Sequence, residues 1–469
     1  MPSHSLITIL TIIMSLKNLV LSTLVASVSA TTLPLNRRST NGSASASMIS
    51  TGYGTVVDVE VSIGGQEFEL LVDSGSSDTY VVTSDFQCID KDSGLQVDQE
   101  NCLYDVDRTY NISDTYEKIP NQIFGIQYGD GIASGVMAYE EVTVAGVTVP
   151  KQRVGIADKS TAMGDGVNSG LLGLGYPALT SAHPANITDN TTYWYNRIPY
   201  KPLLFTMYEQ GLIKDSYFSH AIARNPMNES VGFGGYLSLG ELPPVKHEDN
   251  WAVAPVEIMK NIPLNFTSFK KTRSYWALTV PSATWGSNGT NSTAFQAFLD
   301  SGNPLSYLPG YIANPFNKLF DPPAVYSKES EAYIVDCNAK APNLGLEIGG
   351  TVFQHNAADL IYQTGDGLCI SSIGNSDEIK IGGTLQLNIV GVPFLKSVVS
   401  VFDFGKNEMR FAKLLGEVTE GSIANSSNSS AGSDSQDDDE YVPGNAGANL
   451  TPAMYGLTAL LSALAYISL

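Results

Sequence analysis

Basic side chains are in short supply: 26 Lys and Arg stand against 47 Asp and Glu, for a formal net charge of −21. A nucleic-acid backbone needs a basic face, so that class of partner is excluded. Histidine and cysteine are rarer still, five and four residues among 469. Cys88, Cys102, Cys337 and Cys369 follow no zinc spacing, and neither a metal nor another cofactor is expected. Long apolar runs are also lacking. Lys17 interrupts the hydrophobic N-terminus and leaves too short a stretch to cross a bilayer. What remains is 43% hydrophobic, ample for sizeable cores, and the length admits two or three domains. The acidic balance suits work at low pH, since carboxylates protonate and self-repulsion fades towards the pI of about 4.5.

The chain is organised around Leu70-Leu-Val-Asp-Ser-Gly-Ser-Ser-Asp-Thr-Tyr-Val-Val82, where an apolar strand runs into Asp73-Ser74-Gly75. A carboxylate emerging from such surroundings is costly to bury alone. The other half repeats the device in Phe295-Gln-Ala-Phe-Leu-Asp-Ser-Gly-Asn-Pro-Leu-Ser-Tyr-Leu308, centred on Asp300-Ser301-Gly302. A single Asp-Ser-Gly is most often only a turn, because Asp accepts local backbone bonds and Gly supplies positive φ. Two copies at matching places, each between an apolar run and a run holding an aromatic residue, point further. They predict that Asp73 and Asp300 face each other and share a proton. Between alternating strands, Tyr128-Gly129-Asp130-Gly131 signals a hairpin. Many short strands with turn signals make the chain all-β, and the common order of its halves reads as a duplicated lobe.

With these residues the chain resembles the pepsin-type aspartic proteases over about residues 53–414, and within them the GPI-anchored yapsin-like group of fungi. The resemblance implies a bilobal fold with the active-site cleft between two β-rich lobes. It makes Asp73 and Asp300 the catalytic pair of an endopeptidase acting on proteins or peptides. Ser74 and Ser301 would bond across the lobe junction, and Ser76 would donate to Asp73. Gly75 and Gly302 would let the substrate backbone approach, beneath a flap carrying Tyr128, Gly129 and Asp130. Ile389-Val390-Gly391 and the segment around Leu171-Leu172-Gly173 correspond to the family's two hydrophobic-hydrophobic-Gly segments. Of the three possible cystine pairings, the resemblance implies Cys88 with Cys102 and Cys337 with Cys369, which also leaves one pair in each half. Two positions depart from the pattern. Tyr80 replaces a Trp that ordinarily supports the flap Tyr, and Asn303 stands where a Thr or Ser normally donates to the second Asp. Its amide can still donate, from further out.

The ends of the chain read as processing and anchoring signals. Residues 1–30 form a secretory signal ending in Val28-Ser-Ala30, and 31–38 a short propeptide closed by Arg37-Arg38. The N-terminal lobe with its flap then spans 39–240 and the C-terminal lobe 241–415. Residues 416–445 are a Ser/Asn/Asp-rich spacer, and 446–469 the removed tail of a GPI signal with Asn445 as attachment residue. Asn-x-Ser/Thr acceptors from Asn41 to Asn449 support secretion. The expectation is an acid-preferring, monomeric enzyme tethered outside the cell by a GPI lipid. Within the loop from Cys88 to Cys102, Asp90, Asp92, Asp98 and Glu100 face Lys91 alone, which reads as a solvated loop or as one overhanging the cleft and favouring basic substrate residues. From another class comes the alternative of a protease-fold surface glycoprotein that binds peptide or wall ligands without cleaving them. A two-carboxylate glycosidase is disfavoured by the paired Ser-Gly turns and the flap.

Overall fold

The structure, a computed structural model, describes residues 44–128, 131–328, 330–364, 367–379 and 386–421. Gly129, Asp130 and Asn445 lie outside the described residues, as do the expected leader, propeptide and C-terminal tail and most of the spacer.

The described chain is built from strands, with helix confined to Leu203–Glu209, Gly310–Asn317, Val392–Leu395 and brief 3-10 turns. A 15-stranded sheet dominates. It starts at Ala182–Pro184, takes in both strands of the expected flap, and crosses the first half of the chain to Ser45–Thr51. It continues through Gly232–Leu239 and Tyr217–Ile222 into Val398–Asp403 and Glu408–Lys413, so the end of the folded chain pairs with its first half. Sheets of five, four and four strands make up the rest of the second half.

Both halves build their Asp turn in the same way. Gln66–Asp73 pairs in parallel with Gly170–Gly173, Leu71 opposite Leu171 and Asp73 opposite Gly173. The strand leaving the turn, Thr79–Ile89, runs antiparallel against the other edge of that same short strand. In the second half Phe295–Leu299 pairs in parallel with Ile389–Val390, and Ser306–Leu308 approaches Ile389 from the opposite side. The incoming strands are covered on both faces, which is why they read as near-continuous apolar runs rather than alternating ones. Leu70, Leu71, Val72, Ala297, Phe298 and Leu299 are all fully buried.

One aromatic core joins the halves below these turns. Phe218 stacks on Phe402 with ring centroids 4.6 Å apart, and Trp276 meets both edge-on. The Trp276 indole N–H donates to the Leu174 carbonyl at 3.0 Å, and the Leu174 N–H in turn donates to the Asp73 carbonyl at 2.8 Å. A side chain of the second half thus braces the backbone that carries the first acid. The expected cystines are present, Cys88–Cys102 and Cys337–Cys369, with Cα separations of 5.7 and 5.1 Å.

Candidate active site

The two Asp-Ser-Gly turns meet and grip each other. The Ser74 N–H donates to Ser301 Oγ at 3.0 Å, and the Ser301 N–H donates to Ser74 Oγ at 2.9 Å. Each hydroxyl then donates onward into the opposite half, Ser74 to the Leu299 carbonyl at 3.1 Å and Ser301 to the Val72 carbonyl at 2.7 Å. Four buried bonds with near two-fold symmetry fix the turns, and each serine hydroxyl both donates and accepts.

Asp73 and Asp300 are brought together at this junction, both fully buried. Gly75 and Gly302 make that possible, in a way the sequence reading missed. A Cβ on Gly75 would lie 2.6 Å from Asp300 Oδ1, and one on Gly302 would lie 2.7 Å from Asp73 Oδ1. The space left by each missing side chain is filled by the other half's carboxyl group, so closeness of the acids, more than room for substrate, is what demands glycine here.

The two carboxyl groups are not equivalent. Asp73 accepts the Gly75 N–H at 2.7 Å on one oxygen and a short bond from the Ser76 hydroxyl on the other, as expected for Ser76. Asp300 accepts the Gly302 N–H at 3.0 Å on Oδ1, and its Oδ2 has no hydrogen-bond partner among the described residues. Asn303 stands three residues beyond Asp300, as Ser76 does beyond Asp73, but does not play the same part. The expected donation from its amide to the second acid is not made. Asn303 Oδ1 instead accepts the Leu305 N–H at 3.1 Å, closing a local turn typical of Asn, and its Nδ2 has no partner among the described residues.

Burial lifts the pKa of both acids. For Asp73 the Ser76 hydroxyl and the Gly75 N–H pull it back, because they bond the charged form. For Asp300 the negative charge of Asp73 adds to burial and carries it well above the usual carboxylate range. The bonding asymmetry favours the charge on Asp73 and the shared proton on Asp300.

Over the pair, Glu117–Gln127 and Ile132–Val144 form the expected hairpin, Gln127 opposite Ile132, closed by a 2.8 Å bond from the Tyr128 N–H to the Gly131 carbonyl. Tyr128 is 1% exposed, and burial followed by the charge of Asp73 raises its phenol pKa well above the usual value. Tyr80 is buried with its ring 5.2 Å from Phe124 in the first strand of the hairpin, and the Tyr128 hydroxyl has no hydrogen-bond partner among the described residues. In the loop between Cys88 and Cys102, Asp92, Asp98 and Glu100 are exposed and Asp90 half-buried.

Sequence reasoning missed several residues that the fold gathers here. Asp78, fully buried, accepts the Ser181 N–H at 2.9 Å and the Tyr200 hydroxyl at 2.6 Å. Arg197 donates to the Leu179 carbonyl at 2.7 Å and lies 4.4 Å above the Phe266 ring, tying the stretch after Ala182–Pro184 to the second half. Tyr104 and Ser160 lie behind Tyr80. Only Asp78 left a trace in the sequence, as a second acid five residues beyond Asp73 in an otherwise apolar stretch.

Comparison with known proteins agrees with this geometry. The sequence model of the eukaryotic aspartyl proteases matches residues 55–414. A "Probable aspartic-type endopeptidase" of Aspergillus fumigatus is 38% identical over 380 residues, covering 79% of this chain and 81% of the relative. Rhizopuspepsin of Rhizopus chinensis is 26% identical over 370 residues, covering 77% of this chain and 80% of its own. The crystal structure of an aspartic proteinase from Irpex lacteus superposes with a TM-score of 0.60 at 20% identity, over 81% of this chain and 98% of that one, and shows the fold. The chain belongs to the eukaryotic aspartyl protease family, and with it to the aspartic-type endopeptidases.

Proposed function

We propose that Asp73 and Asp300 are the catalytic dyad of a secreted endopeptidase that works in acid and is held outside the cell by a GPI lipid. The observation that carries the chemical part is the reciprocal grip of the two turns, in which each glycine opens onto the opposite carboxyl group. Two carboxyls held this close cannot both ionise cheaply; paired acids of this kind, with pepsin as the familiar instance, titrate as a unit.

The bonding asymmetry sets the roles. Charged Asp73, steadied by Ser76 and Gly75, takes a proton from a water held between the acids as that water attacks the peptide carbonyl. Protonated Asp300 donates to the carbonyl oxygen, and the leaving amine is then protonated from the pair. The fixed Ser74–Ser301 bonds hold both carboxyls in place, so little reorganisation is needed when charge moves. Activity needs Asp73 ionised and Asp300 protonated, which gives a bell-shaped pH profile.

Secretion and anchoring rest on the sequence: the apolar leader, the density of Asn-x-Ser/Thr sites, and the small-residue, spacer and apolar-tail order at the C-terminus. The test is cleavage of a peptide library at several pH values by the wild type and by Asp73→Asn. Acid-range, pepstatin-sensitive cleavage lost in the variant is expected, and equal cleavage by both proteins rules the dyad out. Release of the protein from cell surfaces by a phosphatidylinositol-specific phospholipase checks the anchor; retention after treatment counts against it.

A further inference from the structure

After Glu257 the next acidic residue in the chain is Asp300 itself, and every charged side chain between them is basic: Lys260, Lys270, Lys271 and Arg273. In a protein with 47 acids and a net charge of −21, that gap sets one loop apart from the rest of the surface. The loop leaves at Glu257 and returns at Ala277, where the Glu257 N–H donates to the Ala277 carbonyl at 2.7 Å. The Glu257 carboxylate is engaged at this base: one oxygen accepts the Thr279 hydroxyl at 2.7 Å and the other the Gln296 amide at 2.6 Å. None of the four cations forms an ion pair among the described residues.

All four line a cleft of about 770 Å³, together with the buried Val256 and Met259. Lys260, Lys270 and Lys271 are exposed, while Arg273 is half-buried and its Nε–H donates to the Val256 carbonyl at 2.8 Å. The loop is fixed from behind. Phe266, 1% exposed, packs 4.4 Å from the Arg197 guanidinium, and the Ser268 hydroxyl donates to the Arg197 carbonyl at 3.1 Å. The Thr267 hydroxyl donates to the Lys270 carbonyl and the Phe269 N–H to the Leu264 carbonyl, both at 2.7 Å. The backbone that carries Lys270 and Lys271 is therefore held, and only their side chains remain to be ordered.

The cleft is tied to the strand that ends at the second acid. The Lys260 N–H donates to Gln296 Oε1 at 2.9 Å, and at the returning end the Tyr275 ring lies 4.5 Å from Phe298. From Gln296 to Asp300 is about 13 Å of strand, a distance that four residues of extended peptide also cover. We propose that this loop docks an acidic segment of the substrate, whose carboxylates meet Lys260, Lys270 and Lys271 while the scissile bond lies between Asp73 and Asp300. The acidic surface elsewhere repels such a segment, so the contact selects as well as attracts.

This rests on cleavage by the dyad, and the experiment keeps the two apart. A peptide that the wild type cleaves is remade with Asp-Glu-Asp, or with Asn-Gln-Asn, stepped along both sides of the bond. Each version is assayed at low salt and about pH 5, where most of the peptide's carboxylates are charged. The proteins are the wild type and the triple variant Lys260→Gln, Lys270→Gln, Lys271→Gln; the readout is the ratio of acidic to neutral peptide within each. At one placement the wild type should favour the acidic version about 5- to 10-fold in kcat/KM, chiefly through KM, as two or three exposed ion pairs would give. That ratio should fall towards one in the triple variant, in about 0.5 M salt, and below about pH 4 as the peptide takes up protons. No preference in the wild type, or the same preference in both proteins, overturns the proposal. Binding to phosphatidylserine vesicles that is lost in the triple variant, without a peptide preference, assigns the loop to a lipid surface and overturns it too. If the wild type cleaves nothing, the dyad reading fails, and fluorescence anisotropy of the labelled acidic peptide with both proteins still decides the cleft.

Discussion

At the scale of single residues, the difference between Ser76 and Asn303 governs how the two acids divide one proton. Ser76 bonds the charged form of Asp73, so Ser76→Ala raises that pKa, and the acid limb of kcat/KM moves to higher pH with a several-fold loss below it. Asn303→Ser places a hydroxyl at the matching position beside Asp300, where Oδ2 has no partner among the described residues. Bonding the charged form there lowers the pKa of Asp300, so the alkaline limb, which reports loss of its proton, moves to lower pH. Profiles of the two variants should shift at opposite limbs; a common shift of both limbs would refute the division of roles. The acids, their serines and Ser76 were legible because a short repeated motif fixes their local geometry. The turn made by Asn303 was not, since an Asn amide can serve its own backbone as readily as a neighbour, and only coordinates show which it does.

At the scale of elements, strands that bury both faces announced themselves and strands that owe their existence to partners did not. Gln66–Asp73 and Phe295–Leu299 read directly as apolar runs. Ser45–Thr51, with the sequence Ser-Ala-Ser-Met-Ile-Ser-Thr, carries no apolar run, yet it lies between Gly232–Leu239 and Val56–Ile63. Serine has little intrinsic strand preference, so the ladders on either side decide the matter. Ala182–Pro184 escaped notice likewise, being three residues long and defined by pairing with the first flap strand. The cystine at Cys88–Cys102 closes a separation of 14 residues. Replacing both cysteines by Ala should cost about 3 kcal/mol on the chain-entropy model, read as a lower denaturant midpoint at unchanged m-value. Because the Cys102 carbonyl accepts the Met163 and Gly164 N–H groups, just beyond the Thr161 that bonds Ile132 of the second flap strand, the same variant should also quicken exchange in the flap; an unaltered midpoint would show that this loop does not contribute through chain entropy.

For the whole molecule, buried acids and buried histidines oppose each other as pH changes. Glu69 is 4% exposed, with Arg108 3.6 Å away, and burial together with the charge of Glu60 raises its pKa to about 7. In the unfolded chain it titrates near 4.5. Between those values the native state keeps a proton that the unfolded state has released, so stability falls as pH rises through this window, by on the order of 3 kcal/mol. Asp58, buried beside Asp165, acts in the same direction. Burial lowers His183, His220 and His355 each to about 4, so acidification from 6.5 towards 4 favours the unfolded chain instead. Glu69→Gln should therefore have a higher Tm than the wild type at pH 7 and converge with it below about pH 4.5. Parallel curves across that range would count against Glu69 as a source of the slope.

Pairing between Tyr217–Ile222 and Val398–Asp403 also dictates when the protein can be finished. A ribosome delivers the first of these strands well before the second, and until the later one emerges the earlier one offers an open sheet edge to any neighbour. The nascent half-molecule keeps that edge uncovered until synthesis is nearly complete, and residues 44–240 produced alone should aggregate, as read by sedimentation, unless the remainder is supplied.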